Sequence, residues 1–236
     1  TAIVRRAKGI DYVQNSVLGE TVNSRGFNSA FNYRMLILVD GRVTSAPSIG
    51  LPLNNNIPVV KEDIEAIEIV TGPSAALFGP DATSGLVNIT TVDPRRWQGT
   101  RASLALGSRR TLKGRVFHSG VHQRWSWKAS AGVEQARDYD LVNTFANADG
   151  SMSVTDDPDL DARILRGGIT IGYDQADGRR WRLAVGASTA DFLGISSLGR
   201  TQLTGLVNHY EQLTYDSDRR SVNLYHLGDD LGDTHG

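Results

Sequence analysis

The sequence predicts two units of different class: a compact α+β unit over 1–94, then antiparallel β-strands over 95–236. Two observations carry this. Up to about Asp93-Pro94, apolar runs of buried-strand length stand among turn and helix-start signals. From Trp97 onward the hydrophobic period becomes two and helix signals vanish. Composition agrees: 25 Gly, 7 Pro and 22% charged residues suit a globular or β-rich chain rather than a disordered one. A net charge of −1 gives no electrostatic case for nucleic acid. The absence of Cys removes disulfides, thiolate metal sites and cysteine nucleophiles together. No apolar run approaches the roughly 18 residues of a membrane helix, so any crossing of a bilayer must use a closed barrel.

In the first unit, Ala2 to Ala7 is read as a short helix and Met35-Leu36-Ile37-Leu38-Val39 as a buried strand. Asp40-Gly41 supplies a turn and Arg42-Val43 resumes extended chain, which predicts a hairpin. Lys61 to Glu65 carries helix-forming charges and runs into Ala66 to Val70, which alternates apolar with polar. Gly72-Pro73 opens a second short helix with Pro at its first position, and Gly79 stops it. Gly85 to Thr91 closes the unit as a strand.

In the second unit, Trp125, Trp127, Ala129, Ala131 and Val133 share one face, opposed by Ser126, Lys128, Ser130 and Gly132. Trp181 to Thr189 repeats the pattern. Similar stretches lie at Ala102–Gly107, Lys113–Val121, Ile164–Tyr173, Leu203–Tyr215 and Ser221–Leu227, making about seven strands of barrel-strand length. A membrane barrel with lipid outside fits this alternation, and so does a soluble sandwich with water on the polar face. Connection lengths favour the barrel. The links near 121–124, 174–179 and 216–219 are short, whereas 138–161 is long and polar and 192–202 is moderate. Short connections inside and long ones outside are the habit of outer-membrane barrels, although the short turn at 107–111 interrupts the pattern.

Three motifs then stand in order within the first 91 residues. Val22 to Phe27 (VNSRGF) is similar to a strand ending in RGF, and Met35 to Val43 reads MLILVDGRV. Asp63 to Thr91 reads DIEAIEIVTGPSAALFGPDATSGLVNITT, which resembles an IERIEV strand, a GPxSALYG segment, a Gly-rich bend and VNIIT. These are the marks of the TonB-dependent outer-membrane receptors. The resemblance implies an α+β plug domain followed by antiparallel transmembrane β-barrel strands, an incomplete barrel of about seven strands. A plugged lumen is the habit of 22-stranded outer-membrane transporters. A phosphate-cradling loop is the rival for the Gly-rich stretch, but no Gly-Lys-Ser/Thr follows it.

The resemblance also nominates residues. The RGF arginine, here Arg25, is expected to face wall carboxylates and seat the plug. A second family arginine before the Gly-Pro is Thr71 here, and the aromatic before Gly79 is Phe78 where Tyr is common. Ligand contacts are expected from apical plug loops at Phe31, Asn32, Tyr33, Ser45, Ser48 and Leu51, where stacking and hydrogen bonding combine. The acidic run Asp156, Asp157, Asp159 and Asp161 lacks the glycine and terminal glutamate of a calcium loop, and the five His form no ligand-spaced motif. No metal, cofactor or catalytic residue is assigned, since no nucleophile elbow or HExxH is present.

The function implied is TonB-dependent uptake of a scarce nutrient across the outer membrane of a Gram-negative bacterium. An iron–siderophore complex is the default cargo, with cobalamin, haem or oligosaccharide as others. The implied partners are the TonB–ExbB–ExbD energy-transducing system, the ligand and outer-membrane lipid. The alternative is a binding or adhesion protein that keeps the plug fold without transport. Seven strands are too few to close a 22-stranded barrel, so an open sheet with a free edge near Val222–Leu227 is expected. No signal peptide before Thr1 and no TonB box are recognised, which adds the expectation of a fragment.

Overall fold

The computed structural model describes residues 8–14, 16–24, 34–48, 50–52, 54–139, 144–146, 152–154, 159–196 and 199–235. The segment expected as a helix at 2–7 lies outside them.

The chain opens with an antiparallel pair, β1 (Ile10–Gln14) and β2 (Glu20–Ser24). Next come β3 (Met35–Val39) and β4 (Arg42–Val43), joined through Asp40 and Gly41 at φ 48° and 76°. Two positive φ values in a two-residue link define the hairpin turn that Asp-Gly favours. β5 (Ser45–Ala46) pairs with β6 (Leu51–Pro52), and single 3-10 turns follow at Asn54–Asn56 and Lys61–Asp63. β7 (Ile64–Thr71), the one-turn helix α1 (Ala75–Phe78) and β8 (Gly85–Thr91) complete the unit.

These strands form a four-stranded sheet in the order β4-β3-β8-β7, with β3 and β8 parallel. β3 is apolar throughout because both faces are covered. Met35, Ile37, Val39 and Val87 pack with Val22 and Ile57 on one side, while Leu36, Leu38 and Leu86 pack with Ala82 on the other. Gly85 begins β8 where a Cβ would meet the Val70 carbonyl at 2.6 Å, so only glycine lets the two strands approach there. The helix differs from the sequence reading. It starts after Ser74, so Pro73 precedes it instead of occupying its first position; Gly79, at φ 90°, does end it.

The second unit is a meander of β9 (Gly99–Leu106), β10 (Leu112–His122) and β11 (Trp125–Arg137). A small ribbon of β12 (Thr144–Ala146) and β13 (Met152–Val154) follows, and then β14 (Asp161–Asp174), β15 (Arg180–Ser196), β16 (Gly199–Asp216) and β17 (Ser221–Asp230). The short β18 (Asp233–His235) pairs back on β16. The seven long strands lie in sequence order, antiparallel and unclosed, with β9 and β17 at the edges.

Their amphipathicity is inverted. Along β11 the tryptophans are exposed while Ser126 and Lys128 are buried. Leu104, Ile169, Ile171, Leu183 and Val185 likewise face outward and exposed. A soluble sandwich would bury that face, so the barrel reading holds. Beside the short turns, Trp125, Tyr173, Trp181 and Tyr215 occupy one cross-strand row and pack as tilted pairs, with ring centres 4.8 and 4.6 Å apart. Such a row has the character of an interfacial aromatic girdle.

The 192–202 segment, expected as a connection, is mostly strand: β15 runs to Ser196 and β16 resumes at Gly199. Phe192 lies two residues past Ala190 on the same inward face, across a register shift between the paired strands, and packs with Leu206, Ile164 and Leu18 of the first unit. That apolar cluster holds the strands together beyond the expected turn.

Candidate functional site

The inward face of the wall meets the first unit along a seam built from polar side chains on two levels. Nearer the short turns, Lys128 on β11 and Gln212 on β16 stand in one cross-strand row. Lys128 Nζ donates to Asp63 Oδ1 at 2.9 Å and to Thr91 Oγ1, with both charged side chains about nine-tenths buried. Burial raises the Asp63 carboxyl from 3.8 to about 6, because the Lys128 ammonium and its hydrogen bond only partly offset the loss of water. Gln212 accepts from Arg42 Nη1 at 2.9 Å and donates to the Asp40 carbonyl at 2.9 Å. The Arg42 guanidinium lies 3.3 Å above the Tyr210 ring, a buried cation on an aromatic face. Its burial lowers the guanidinium pKa, with Tyr210 and Asp40 acting in the other direction.

The Asp40-Gly41 turn is thus a connector. Asp40 accepts from the Thr91 amide at 2.9 Å and the Thr91 hydroxyl at 2.6 Å, which fixes the turn to β8 while its carbonyl meets the wall.

Four residues further along the strands, Arg166 on β14 reaches the 54–59 segment. Its guanidinium donates to the carbonyls of Asn55 at 2.9 Å and Ile57 at 3.2 Å. Ser188 on β15 donates to the Asn56 carbonyl at 2.6 Å. Glu134 gathers cations beside them: Arg115 at 3.0 Å, Lys113 at 3.1 Å and Arg166 at 3.6 Å. Between this charged wall and the apolar face of the sheet, represented by Ile37, Ile67 and Ile89, lies a cavity of about 310 Å³. Its volume is in the range of small-molecule sites, one wall apolar and the other ionic.

The chain leaving β8 is tied at the turn end. Arg95 pairs with Asp174 and donates to the Arg124 carbonyl at 2.9 Å, and Ser119 donates to the Trp97 carbonyl at 2.7 Å. At the other end of the wall, the Ser48 amide and hydroxyl both donate to Asp229 of β17.

Of the residues expected from sequence, Arg25, Phe31, Asn32 and Tyr33 lie outside the described residues. Ser45 is half-buried, Ser48 bonds the wall as stated, and Leu51 is in β6. Thr71, standing in the place of the family's second arginine, ends β7 exposed. The seam residues Arg42, Lys128, Arg166, Ser188 and Gln212 were not found by sequence reasoning. Their signal was present for three of the four wall residues: Lys128, Arg166 and Ser188 fall on the polar side of a strand whose other side is mainly apolar, whereas the other side of β16, opposite Gln212, also carries His209 and Glu211.

Residues 1–86 match the family described as the TonB-dependent receptor plug domain. The vitamin B12 transporter BtuB of Vibrio vulnificus is 38% identical over 109 residues, 45% of this chain and 17% of that relative. The chain therefore spans a small part of the curated relatives it matches. Among solved structures, the FrpB iron transporter from Neisseria meningitidis superposes with a TM-score of 0.68 at 16% identity, covering 97% of this chain and 37% of that one. The copper transporter OprC gives 0.67 at 16% identity, covering 95% and 34%. At such identities these two structures speak for the fold alone. No described helix is long and apolar enough to cross a membrane, which leaves strands unaffected.

Proposed function

We infer that this chain, a TonB-dependent receptor plug domain followed by strands of the outer-membrane barrel, serves active uptake of a scarce nutrient. The observation that supports this most is the polar seam. A plug meant only to seal would be held as well by apolar packing. Hydrogen bonds and ion pairs exchange for water at small net cost, so a polar seam holds the plug in place and still lets it move when pulled. The Arg166 and Ser188 bonds to backbone carbonyls, and the Gln212 bond to Asp40, are of this exchangeable kind.

In this reading residues 1–94 are the plug and 95–236 the first part of the wall. The long 138–161 connection faces the cell exterior and the aromatic row lies toward the periplasm. Ligand meets the plug at Phe31, Asn32, Tyr33, Ser45, Ser48 and Leu51, and Arg25 helps seat the plug against wall carboxylates. The TonB–ExbB–ExbD system supplies the pull. Vitamin B12, iron and copper stand in the names of the relatives, and an iron chelate is the cargo proposed first.

Growth on a limiting iron chelate, with and without a functional TonB motor, tests the reading. Motor-dependent growth that disappears when this receptor is deleted is the expected result. Ligand binding without motor-dependent growth would instead favour a non-transporting receptor or adhesin.

A further inference from the structure

Outside the seam, three side chains of metal-binding type converge on the outward face of β16 and β17. His209 and Glu211 share one side of β16, and His226 stands directly opposite Glu211 on β17. His226 Nδ1 lies 2.9 Å from Glu211 Oε2, and the two imidazole centres are 6.0 Å apart. One ligand atom from each residue falls within 4.8 Å of the others. Gly228 admits this arrangement. It is the cross-strand partner of His209, and a Cβ there would sit 2.3 Å from the imidazole. Any larger residue would displace the ring from this position.

The surroundings make the cluster conspicuous. In the same cross-strand row as Glu211, the neighbouring outward residues are Val185, Ile169 and Ala129, and only at the far edge does the row end in His118 and Thr100, which bond each other. In the row of His209 they are Ala187, Gly167 and Ala131. Ionisable groups in a lipid-facing band are costly and mark function where they persist. A His226–Glu211 ion pair accounts for two of them. It leaves His209 and the space cleared at Gly228 without a purpose.

We propose that His209, Glu211 and His226 bind a divalent late first-row transition metal ion, with Zn²⁺ as the reference case. Two imidazoles and one carboxylate suit such ions. At Zn–ligand lengths of about 2.0–2.1 Å, tetrahedral ligand atoms lie roughly 3.3 Å apart. The Glu211–His226 pair is already that close, and a small rotation of His209 brings in the third ligand. Three protein ligands leave one tetrahedral position for a further ligand.

The test uses the intact protein in detergent micelles, titrated with Zn²⁺ against a chromophoric chelator. One competing site per chain is expected. His209→Ala and His226→Ala should each weaken it by at least the roughly tenfold loss typical of outer-shell changes. Gly228→Val keeps all three ligands but displaces the His209 ring, and should weaken it similarly. His118→Ala, on the same outward face and bonded to Thr100, should change nothing. Cu²⁺ loaded at the site should show two coordinated nitrogens by electron paramagnetic resonance, and one in His226→Gln. Heat-modifiable migration of each variant confirms that it remains folded. Absence of a competing site, or His209→Ala and His226→Ala proteins that bind as wild type, would overturn the proposal and leave an ion pair only.

Discussion

Strand β3 of the plug and strand β11 of the wall bury opposite chemistry. Met35–Val39 is buried at every position and wholly apolar. Along β11 the buried residues include Ser126 and Lys128, while Trp125 and Trp127 are exposed. Both strands obey one rule: each face matches the medium it meets. β3 meets protein on both sides, whereas β11 meets the plug and its polar lumen on one side and the bilayer on the other. "Buried" and "apolar" therefore coincide in the plug and separate in the wall.

The hardest test of this contrast is to remove a buried charge from the wall. Lys128→Met leaves Asp63 buried without its cation, and breaking such a pair costs about 3–5 kcal/mol. Thermal unfolding of the variant in detergent should show a loss of that order at neutral pH. A loss no larger than that of a surface substitution would mean that the seam is hydrated and the contrast weaker than drawn.

Charging the outward face is the mirror experiment. Ile169→Arg, at a position that is 53% exposed and lies in the apolar band, should cost about 2–4 kcal/mol and reduce insertion. Folding yield in detergent and in lipid vesicles distinguishes the media. A penalty that appears only in vesicles would confirm that lipid is the medium of that face.

Acidity sharpens the comparison from the plug side. The folded-state pKa of Asp63, about 6, lies above its ordinary value of 3.8, so the folded state binds the proton more tightly. The stability this contributes is fully present below about pH 4 and is lost as pH rises through 6. Melting temperatures of wild type and Asp63→Asn should therefore diverge between pH 4 and 7, with the wild type gaining on acidification relative to the variant. Parallel profiles would place Asp63 in contact with water.

The smallest effect is expected at Arg182, whose 2.9 Å ion pair with Asp216 is close to half exposed on both sides. Arg182→Ala should cost no more than about 1 kcal/mol. Its contrast with Lys128→Met would show that depth in the seam, more than ion-pair distance, sets the cost.

Much of the architecture was legible in the sequence because it rests on local periods. Period-two alternation marked all seven long strands. Asp40-Gly41 marked a tight turn, and continuous apolarity marked β3 as covered on both faces. The failures were also local in cause. Pro73 suggested a helix start, but the helix begins beyond Ser74. Polar residues between 192 and 202 concealed the extension of β15, because the inward packing of Phe192 depends on Leu18 far away in the chain. The metal cluster escaped linear motif search because His226 joins His209 and Glu211 only across paired strands.

Local patterns in the sequence marked the seven long strands and most of their polar faces, and the first 86 residues match the plug-domain family. Which plug group each wall side chain meets follows from tertiary packing alone. Lys128 finds Asp63 from 65 residues away, Arg166 finds Asn55 from 111, and Gln212 finds Arg42 from 170. Alternation fixes that a lysine or arginine points inward, since a strand's two faces repeat every second residue. It carries no information about what waits there, because that depends on how a separately folded sheet is seated in the lumen.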